Sequence, residues 1–412
     1  MREPEYSDFP LDEYLSRITR LRQALQQASI DALLVSKKEN MCYFSGLLHG
    51  YYWITSWDEE TQFALLPASV DKQCSLLISD GLEQATRTSW IDDVRLWNMY
   101  QPGTTQTPLT TLVAAIKDKG LHKARIAFEI GANDRPAVSI KLYEELREAL
   151  PDVEFVPSYD LVSEIRSVKS NREVECVRRA CQITCAGIQA GLSQLHEGMT
   201  EKELAHIICS AMMAENPEGN TAHPWSIFVH ASGRSPVWFD GCPTDYRFKP
   251  GDTVYIDGGA LYKGYWSDMI RCASIGTPTE DRLRFYEASR QGNEACMAMI
   301  RPGLKCSDLW ACFADSCEQM GFGEEIKESL ARNYSLLGHG IGLSVHEQPY
   351  LHAKSEGRLQ ENMTVAIEAF VPDHLPWSAT RIALKSEDNV RVTSDGCELL
   401  TPLARDLWIC HD

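Results

Sequence analysis

Residues 11–29 (LDEYLSRITRLRQALQQAS) repeat Leu and Ile at three- and four-residue spacing, the period of an amphipathic helix, and stop before the strand-length apolar run DALLVS. FALLPAS, QCSLLIS and ARIAFEI read as further strands, with SIKLYEELREAL as a helix among them. That alternation predicts an α/β domain ending near residue 160. The segment EIRSVKSNREVECVRRACQITCAGIQAGL then opens a long helix, and its charged lead-in RSVKSNRE marks a junction between a domain over 1–165 and one over 166–412.

The second part repeats itself. LSQLHEGMTEKELAHIICSAM (192–212) resembles MAMIRPGLKCSDLWACFADSC (297–317), with Gly198 and Gly303 equivalent and 105 residues apart. Each stretch is a helix end, a Gly turn and a second amphipathic helix. Strand-rich sequence follows each, from WSIFVHASG to RCASIG and from SLLGHG to VRVTSDG. A duplicated α+β half-domain predicts helices on one face of a sheet and a central groove, a natural place for a site.

Composition narrows the partners. The chain has 412 residues, 44% apolar and 24% charged, which is globular rather than disordered. Its net charge of −18 opposes nucleic acid. No apolar run is long enough to span a membrane, and MREPEYSDFPLDEY lacks the pattern of a secretory leader, so a cytoplasmic location is expected. The fourteen cysteines form no CxxC pair. They read as small buried apolar residues in a reducing compartment. There is no G-x-G-x-x-G and no G-x-S-x-G, so nucleotide and serine-hydrolase chemistry have no support.

Five potential ligands stand in strand-like contexts of the second part. TVYIDGGALYKGYWSDMIRCASIG carries Asp257 and Asp268, which a hairpin turning at LYKG would bring together. LLGHGIGLSVHE carries His339, MTVAIEAF carries Glu368 and KSEDNVRV carries Glu387. Acids in strands rich in Val, Ile and Tyr are costly to bury unless paired or bound to a cation. Four carboxylates and an imidazole suit two divalent ions, with Mn first and Co, Zn or Fe as others. Two such ions, about 3.5–4 Å apart, can activate a water and polarise a carbonyl.

With these segments the sequence resembles the pita-bread metallohydrolases, the family of Xaa-Pro dipeptidases, aminopeptidase P, methionine aminopeptidase and creatinase. The resemblance covers essentially the whole chain, including IDALLVSKKENMCYFSG near the start. It implies an α+β pita-bread catalytic domain preceded by an α/β creatinase-type N-terminal domain. It further implies metal ligation by Asp257, Asp268, His339, Glu368 and Glu387, substrate binding by His346, and proton transfer by Glu368. A homodimer is also implied, in which the aromatic run after His49 (Tyr51, Tyr52, Trp53 and Trp57) could line the neighbour's pocket. His352 is a further candidate to face the groove.

Two positions depart from the peptidase pattern. Where prolidases place a substrate-binding His, ungapped alignment puts Asp240, after Trp238 and Phe239; His223 and His230 are nearby but out of register. Two residues before Glu387, where many peptidases have Arg, stands Lys385, a point charge in place of a planar fork. Both features resemble the dimethylsulfoniopropionate lyases. Those, however, have an acidic base where this chain has His346, and an Asp where it has Gly259.

The leading expectation is hydrolysis of a C–N bond in a small substrate, an Xaa-Pro peptide first, through a metal-bridged hydroxide. Lys385 would contact a substrate carboxylate and Asp240 the other end. The alternative is a lyase or hydrolase of a small cationic metabolite, recognised by Asp240, Trp238 and Phe239. A third reading is a binding protein that uses the groove without catalysis.

Overall fold

The computed structural model describes residues 1–48, 62–98, 103–131, 138–216, 227–232, 234, 242–371 and 384–411. His49 and its aromatic run, His223, and Trp238, Phe239 and Asp240 lie outside them. The chain forms two compact units, Met1–Arg166 and Ser167–Asp412.

The first unit runs α1 (Leu11–Gln27), β1 (Ala32–Val35), α2 (Lys38–Ser45), β2 (Phe63–Pro67), β3 (Ser75–Ser79), β4 (Asp93–Trp97), α3 (Pro108–Asp118), β5 (Arg125–Phe128), α4 (Ile140–Ala149), β6 (Glu154–Pro157) and α5 (Tyr159–Ser167). Its mixed sheet has the order β4-β3-β2-β1-β5-β6. The central strands are apolar throughout because helices cover them; Leu34, Leu65, Leu77 and Ile126 pack with Leu112, Ile116 and Leu146. Glu129, just past β5, is buried, and its carboxylate accepts from the Ser36 and Lys37 amides and from Asn40.

The second unit begins with α6 (Asn171–Gln194) and α7 (Glu201–Glu215). Then come β7 (Ile227–Ala231), β8 (Thr253–Gly258), β9 (Leu261–Tyr262), β10 (Tyr265–Trp266) and β11 (Met269–Ile275). Three helices follow: α8 (Glu280–Met299), α9 (Cys306–Gln319) and α10 (Gly323–Ala331). The strands β12 (Leu336–Gly340), β13 (Glu347–His352), β14 (Thr364–Ile367), β15 (Asp388–Val392), β16 (Cys397–Leu399) and β17 (Trp408–Cys410) complete it. They make two main sheets, β17-β11-β8-β7 and β13-β12-β14-β15-β16. Capping boxes start both first-half helices, Ser170 with Glu173 and Thr200 with Glu203.

The internal repeat is structural. Gly198 and Gly303 both turn through positive φ, 80° and 83°. Their amides donate to Phe248 O and Leu359 O, whose own amides donate back to Met199 O and Leu304 O. Arg247 and Arg358 each donate to the carbonyl of their turn glycine at 2.8 Å. The helix pairs cross at equivalent glycines. A Cβ at Gly187 would meet Met212 Cγ at 2.4 Å, and one at Gly292 would meet Phe313 Cδ2 at 2.6 Å. Each helix pair packs on one face of its sheet. The opposite face of the first sheet carries Tyr255, Ile270 and Cys272, which pack with Tyr286 and Leu384 of the second half.

No described helix is long and apolar enough to cross a membrane. No disulfide joins the fourteen cysteines, most of which are buried.

Candidate metal centre

Each candidate ligand sits at or just beyond a strand end. β8 and β11 pair antiparallel with Asp257 opposite Ile270. Between them the small β9–β10 hairpin turns at Lys263 and Gly264, both with positive φ, inside the LYKG segment. Tyr255 donates its hydroxyl to Asp257 Oδ2 at 3.1 Å. Asp268 is held by its backbone: Asn389 Oδ1 accepts from its N–H at 2.9 Å, and Asn389 Nδ2 donates to its carbonyl at 2.7 Å.

His339 lies in β12 between two glycines that tolerate no side chain. A Cβ at Gly338 would come 1.9 Å from Ala366 O, and one at Gly340 would come 2.2 Å from Gln348 O. Glu368 follows β14, its amide donating to Leu337 O at 2.8 Å. Glu387 precedes β15, its amide donating to Ile270 O and its carbonyl accepting from Arg271. Thr184 on α6 and Ser289 on α8 brace the two halves alike. Each hydroxyl accepts an amide three residues past an acid, Ala260 after Asp257 and Val371 after Glu368.

These five residues converge. His339 Nε2 lies 3.3 Å from Glu368 Oε1, 3.8 Å from Asp268 Oδ2 and 4.0 Å from Glu387 Oε1. Ligand atoms come within 4.8 Å of one another in three overlapping groups: Asp257, Asp268 and Glu387; His339, Glu368 and Glu387; and Asp268, His339 and His346.

The donor set fits divalent cations. His339 Nδ1 is 3.1 Å from Gly340 O, a contact that an N–H makes, so Nε2 turns its lone pair toward the carboxylates. Neither His339 Nε2 nor Glu387 Oε1, both buried, has a hydrogen-bond partner. A lone pair and several carboxylates facing one another repel unless a cation stands among them. The electrostatics carry the same mark. Burial, against the pull of Lys385, drives Asp257 up to about 6. Burial and the charge of Asp257 drive Asp268 up to about 8. Glu387 is pushed well above the usual carboxylate range by burial and by its acidic neighbours. Burial would lower His339, but Glu368 and Asp268 outweigh it and raise it.

Lys385 is 2% exposed, and its Nζ donates to Glu368 Oε2 at 2.5 Å. Burial pushes the Glu368 carboxyl up, yet Lys385 and His339 together hold it well below its ordinary range. His346 is exposed, with its ring 4.1 Å from that of His339. His352, half-buried, stands opposite Leu336 in β13, accepts from the Lys354 amide at Nδ1, and belongs to none of the ligand groups.

Residue patterning did not point to the supports. Asn389 is one. Arg271, 1% exposed, is another: it donates to the carbonyls of Ile270, Glu387, Leu403 and Ala404 and to Asp388 Oδ1. Asn293 donates to Ala369 O and Ser386 O, next to two candidate ligands. Lys169 pairs with Glu347 at 2.8 Å beside the His346 loop.

Residues 175–394 match the model of metallopeptidase family M24, and residues 17–168 match the creatinase/prolidase N-terminal domain. An Xaa-Pro dipeptidase of Pyrococcus furiosus is 26% identical over 95% of this chain and 99% of its own. Among solved structures, an Xaa-Pro dipeptidase from Bacillus anthracis superposes with a TM-score of 0.77 at 25% identity, covering 96% of this chain and 99% of that one. An X-Pro aminopeptidase from Thermotoga maritima gives 0.75 at 25% identity, over 95% and 99%. With a pita-bread second unit, a creatinase-type first unit and an acid-and-histidine cluster at the strand ends, the chain belongs to metallopeptidase family M24.

Proposed function

We propose that the chain hydrolyses Xaa-Pro dipeptides with two divalent ions, manganese first, held by Asp257, Asp268, His339, Glu368 and Glu387. The observation that carries this reading is the convergence of the Asp268, Glu368 and Glu387 carboxylates on the unpaired Nε2 of His339, with Asp257 grouped beside Asp268 and Glu387. Bound there, the ions would polarise the scissile carbonyl and acidify the attacking water. Glu368, ionised beside Lys385, would accept the proton of the attacking water at Oε1, the oxygen on the His339 side, and return it to the proline nitrogen as the C–N bond breaks. His346, exposed beside His339, hydrogen-bonds the substrate carbonyl. Asp240, outside the described residues, is the residue this reading assigns to recognition of the substrate's amino end. The same reading makes the enzyme a cytoplasmic homodimer.

Gly259 favours this reading over a lyase of cationic metabolites. A Cβ there would lie 1.8 Å from Ser267 O, so the Asp of the lyase pattern has no room on this backbone.

The test is hydrolysis of an Xaa-Pro dipeptide panel by manganese-loaded protein, with Asp257→Ala as the blank. Cleavage that disappears in the blank is the expected result. No cleavage by protein shown to hold manganese overturns the peptidase reading and turns the search to small cationic substrates.

A further inference from the structure

Away from the strand ends, the helix pair of the second half sets two thiols side by side. α8 and α9 run antiparallel and meet once per turn. Cys317 Sγ lies 3.9 Å from Ala288 O, a Cβ at Gly292 would stand 2.6 Å from Phe313 Cδ2, and the Cys296 thiol donates to Leu309 O at 3.2 Å. Cys312 follows Leu309 by three residues, and a helical side chain leans back over the turn before it. Its sulfur is thereby brought to that of Cys296, and the two are hydrogen-bonded. Cys296 is wholly buried and Cys312 half-buried, so a reagent from solvent reaches Cys312 first. The hydrogen bond from Cys296 outweighs burial and draws the Cys312 thiol down to about 7, while the same bond and burial push Cys296 up. An acidic outer thiol with a buried thiol against it is the arrangement of a redox pair.

The same helix reaches the candidate ligands. Asn293, one turn before Cys296, donates to Ala369 O and Ser386 O, the neighbours of Glu368 and Glu387, and Ser289 accepts the Val371 amide. A disulfide holds its sulfurs closer than a thiol hydrogen bond does. At the Gly292 crossing the helices are already in contact, so the pair closes by turning α8, and Asn293 turns with it. We propose that Cys312 and Cys296 form a peroxide-sensitive dithiol whose closure to a disulfide weakens metal binding through α8. The Cys312 thiolate attacks one oxygen of hydrogen peroxide and the O–O bond breaks, leaving a sulfenic acid on Cys312 and a hydroxide that takes up a proton. The Cys296 sulfur then attacks the Cys312 sulfur; the S–S bond forms, the S–O bond breaks, and the Cys296 proton leaves with the oxygen as water. The two sulfurs lose two electrons in all, and the peroxide is reduced to two waters. The effect on metal rests on reading the cluster as a metal centre; the closure of the pair does not.

In the experiment, metal-stripped protein is treated with hydrogen peroxide and desalted. Non-reducing peptide mapping with fragmentation then locates the bond, and calorimetric Mn(II) titration reads the metal centre. Wild type, Cys312→Ser and Cys296→Ser are compared untreated, treated, and treated then reduced with dithiothreitol. Treated wild type is expected to carry a Cys296–Cys312 link and to bind manganese about three- to tenfold more weakly, the range of one weakened hydrogen bond, with recovery on reduction. Cys312→Ser should form no link and keep its affinity through the treatment. Cys296→Ser should stop at the Cys312 sulfenic acid, which dimedone traps. Treated wild type that forms no link, or links other cysteines instead, overturns the proposal whether or not the variants fold, as does a linked protein whose affinity is unchanged or raised. If untreated wild type binds no manganese, the metal-centre reading fails and the control of metal binding falls with it, while the peptide map still decides whether the pair closes.

Discussion

Both ends of the Asn389 amide bind a single residue, the peptide N–H and C=O of Asp268, and the side chain is wholly buried. This clamp does for an isolated residue what a neighbouring strand does for a whole one. Asn389→Ala leaves a buried donor and a buried acceptor unpaired, at about 1–3 kcal/mol each. The expected outcome is a loss of about 2–5 kcal/mol in urea unfolding, with weakened manganese binding because Asp268 loses its orientation. A loss below about 1 kcal/mol would show that water or a backbone shift replaces the clamp. The candidate ligands were legible because an acid inside a run of Val, Ile and Tyr conflicts with its surroundings, and a cation resolves the conflict. Asn389 and Arg271 gave no such signal. The partners they hold at the site, Asp268 for Asn389 and Glu387 for Arg271, lie more than 110 residues away in the chain, and an Asn or Arg beside an acid is ordinary sequence. Lys385 was legible as a departure from the family pattern, but the contact it makes was not, since sequence shows the charge and not its direction.

At the level of elements, the duplication could be read because both copies keep the same constraint, a positive-φ glycine between two amphipathic helices. The glycines at the helix crossings obey a different one. At Gly187 an added Cβ would stand 2.4 Å from Met212 Cγ and 3.0 Å from the backbone oxygen of Ile208. Met212 can swing aside, but α7 cannot yield without moving. Gly187→Ala should therefore lower stability by about 1–3 kcal/mol through overpacking, although alanine favours an isolated helix by about 1 kcal/mol. Gly198→Ala meets nothing within 4 Å and bears only the strain of φ +80°, about 1–2 kcal/mol. Thermal unfolding of the pair, with Gly187→Ala/Met212→Ala added, separates the causes, because the double variant should recover part of the overpacking loss. Two strands that patterning missed, β4 and β6, are the two edges of the first unit's sheet. DVRLW is mostly half-buried and EFVP is partly exposed, so neither offers the unbroken apolar run that exposed the central strands. α3 was missed too, although Thr107 and Thr110 form its capping box.

For the molecule as a whole, the cluster ties stability to pH and to metal in a direction that can be worked out. Asp257 and Asp268, raised to about 6 and about 8 by burial and by neighbouring charge, keep protons in the metal-free fold that they would release in an unfolded chain near pH 4. A carboxyl raised on folding contributes most below its unfolded pKa and loses that contribution as pH climbs through its folded one. Metal-free protein should therefore become less stable from about pH 5 to pH 8, by about 1.4 kcal/mol per pH unit for each proton held only in the fold. Glu368, held low by Lys385 and His339 despite its burial, titrates below this window and does not offset the trend. Divalent ions displace the same protons, so manganese affinity should rise over this range while the fall in stability disappears. The measurement is the urea midpoint at several pH values between 5.5 and 8, once with chelator and once with manganese. Asp268→Asn should flatten the chelator curve, since an amide has no proton to lose. A metal-free curve that is level or rising would mean that the fold relieves the crowding of its carboxylates without a cation, and the cluster would then have to be explained as a hydrogen-bonded core instead of a metal site.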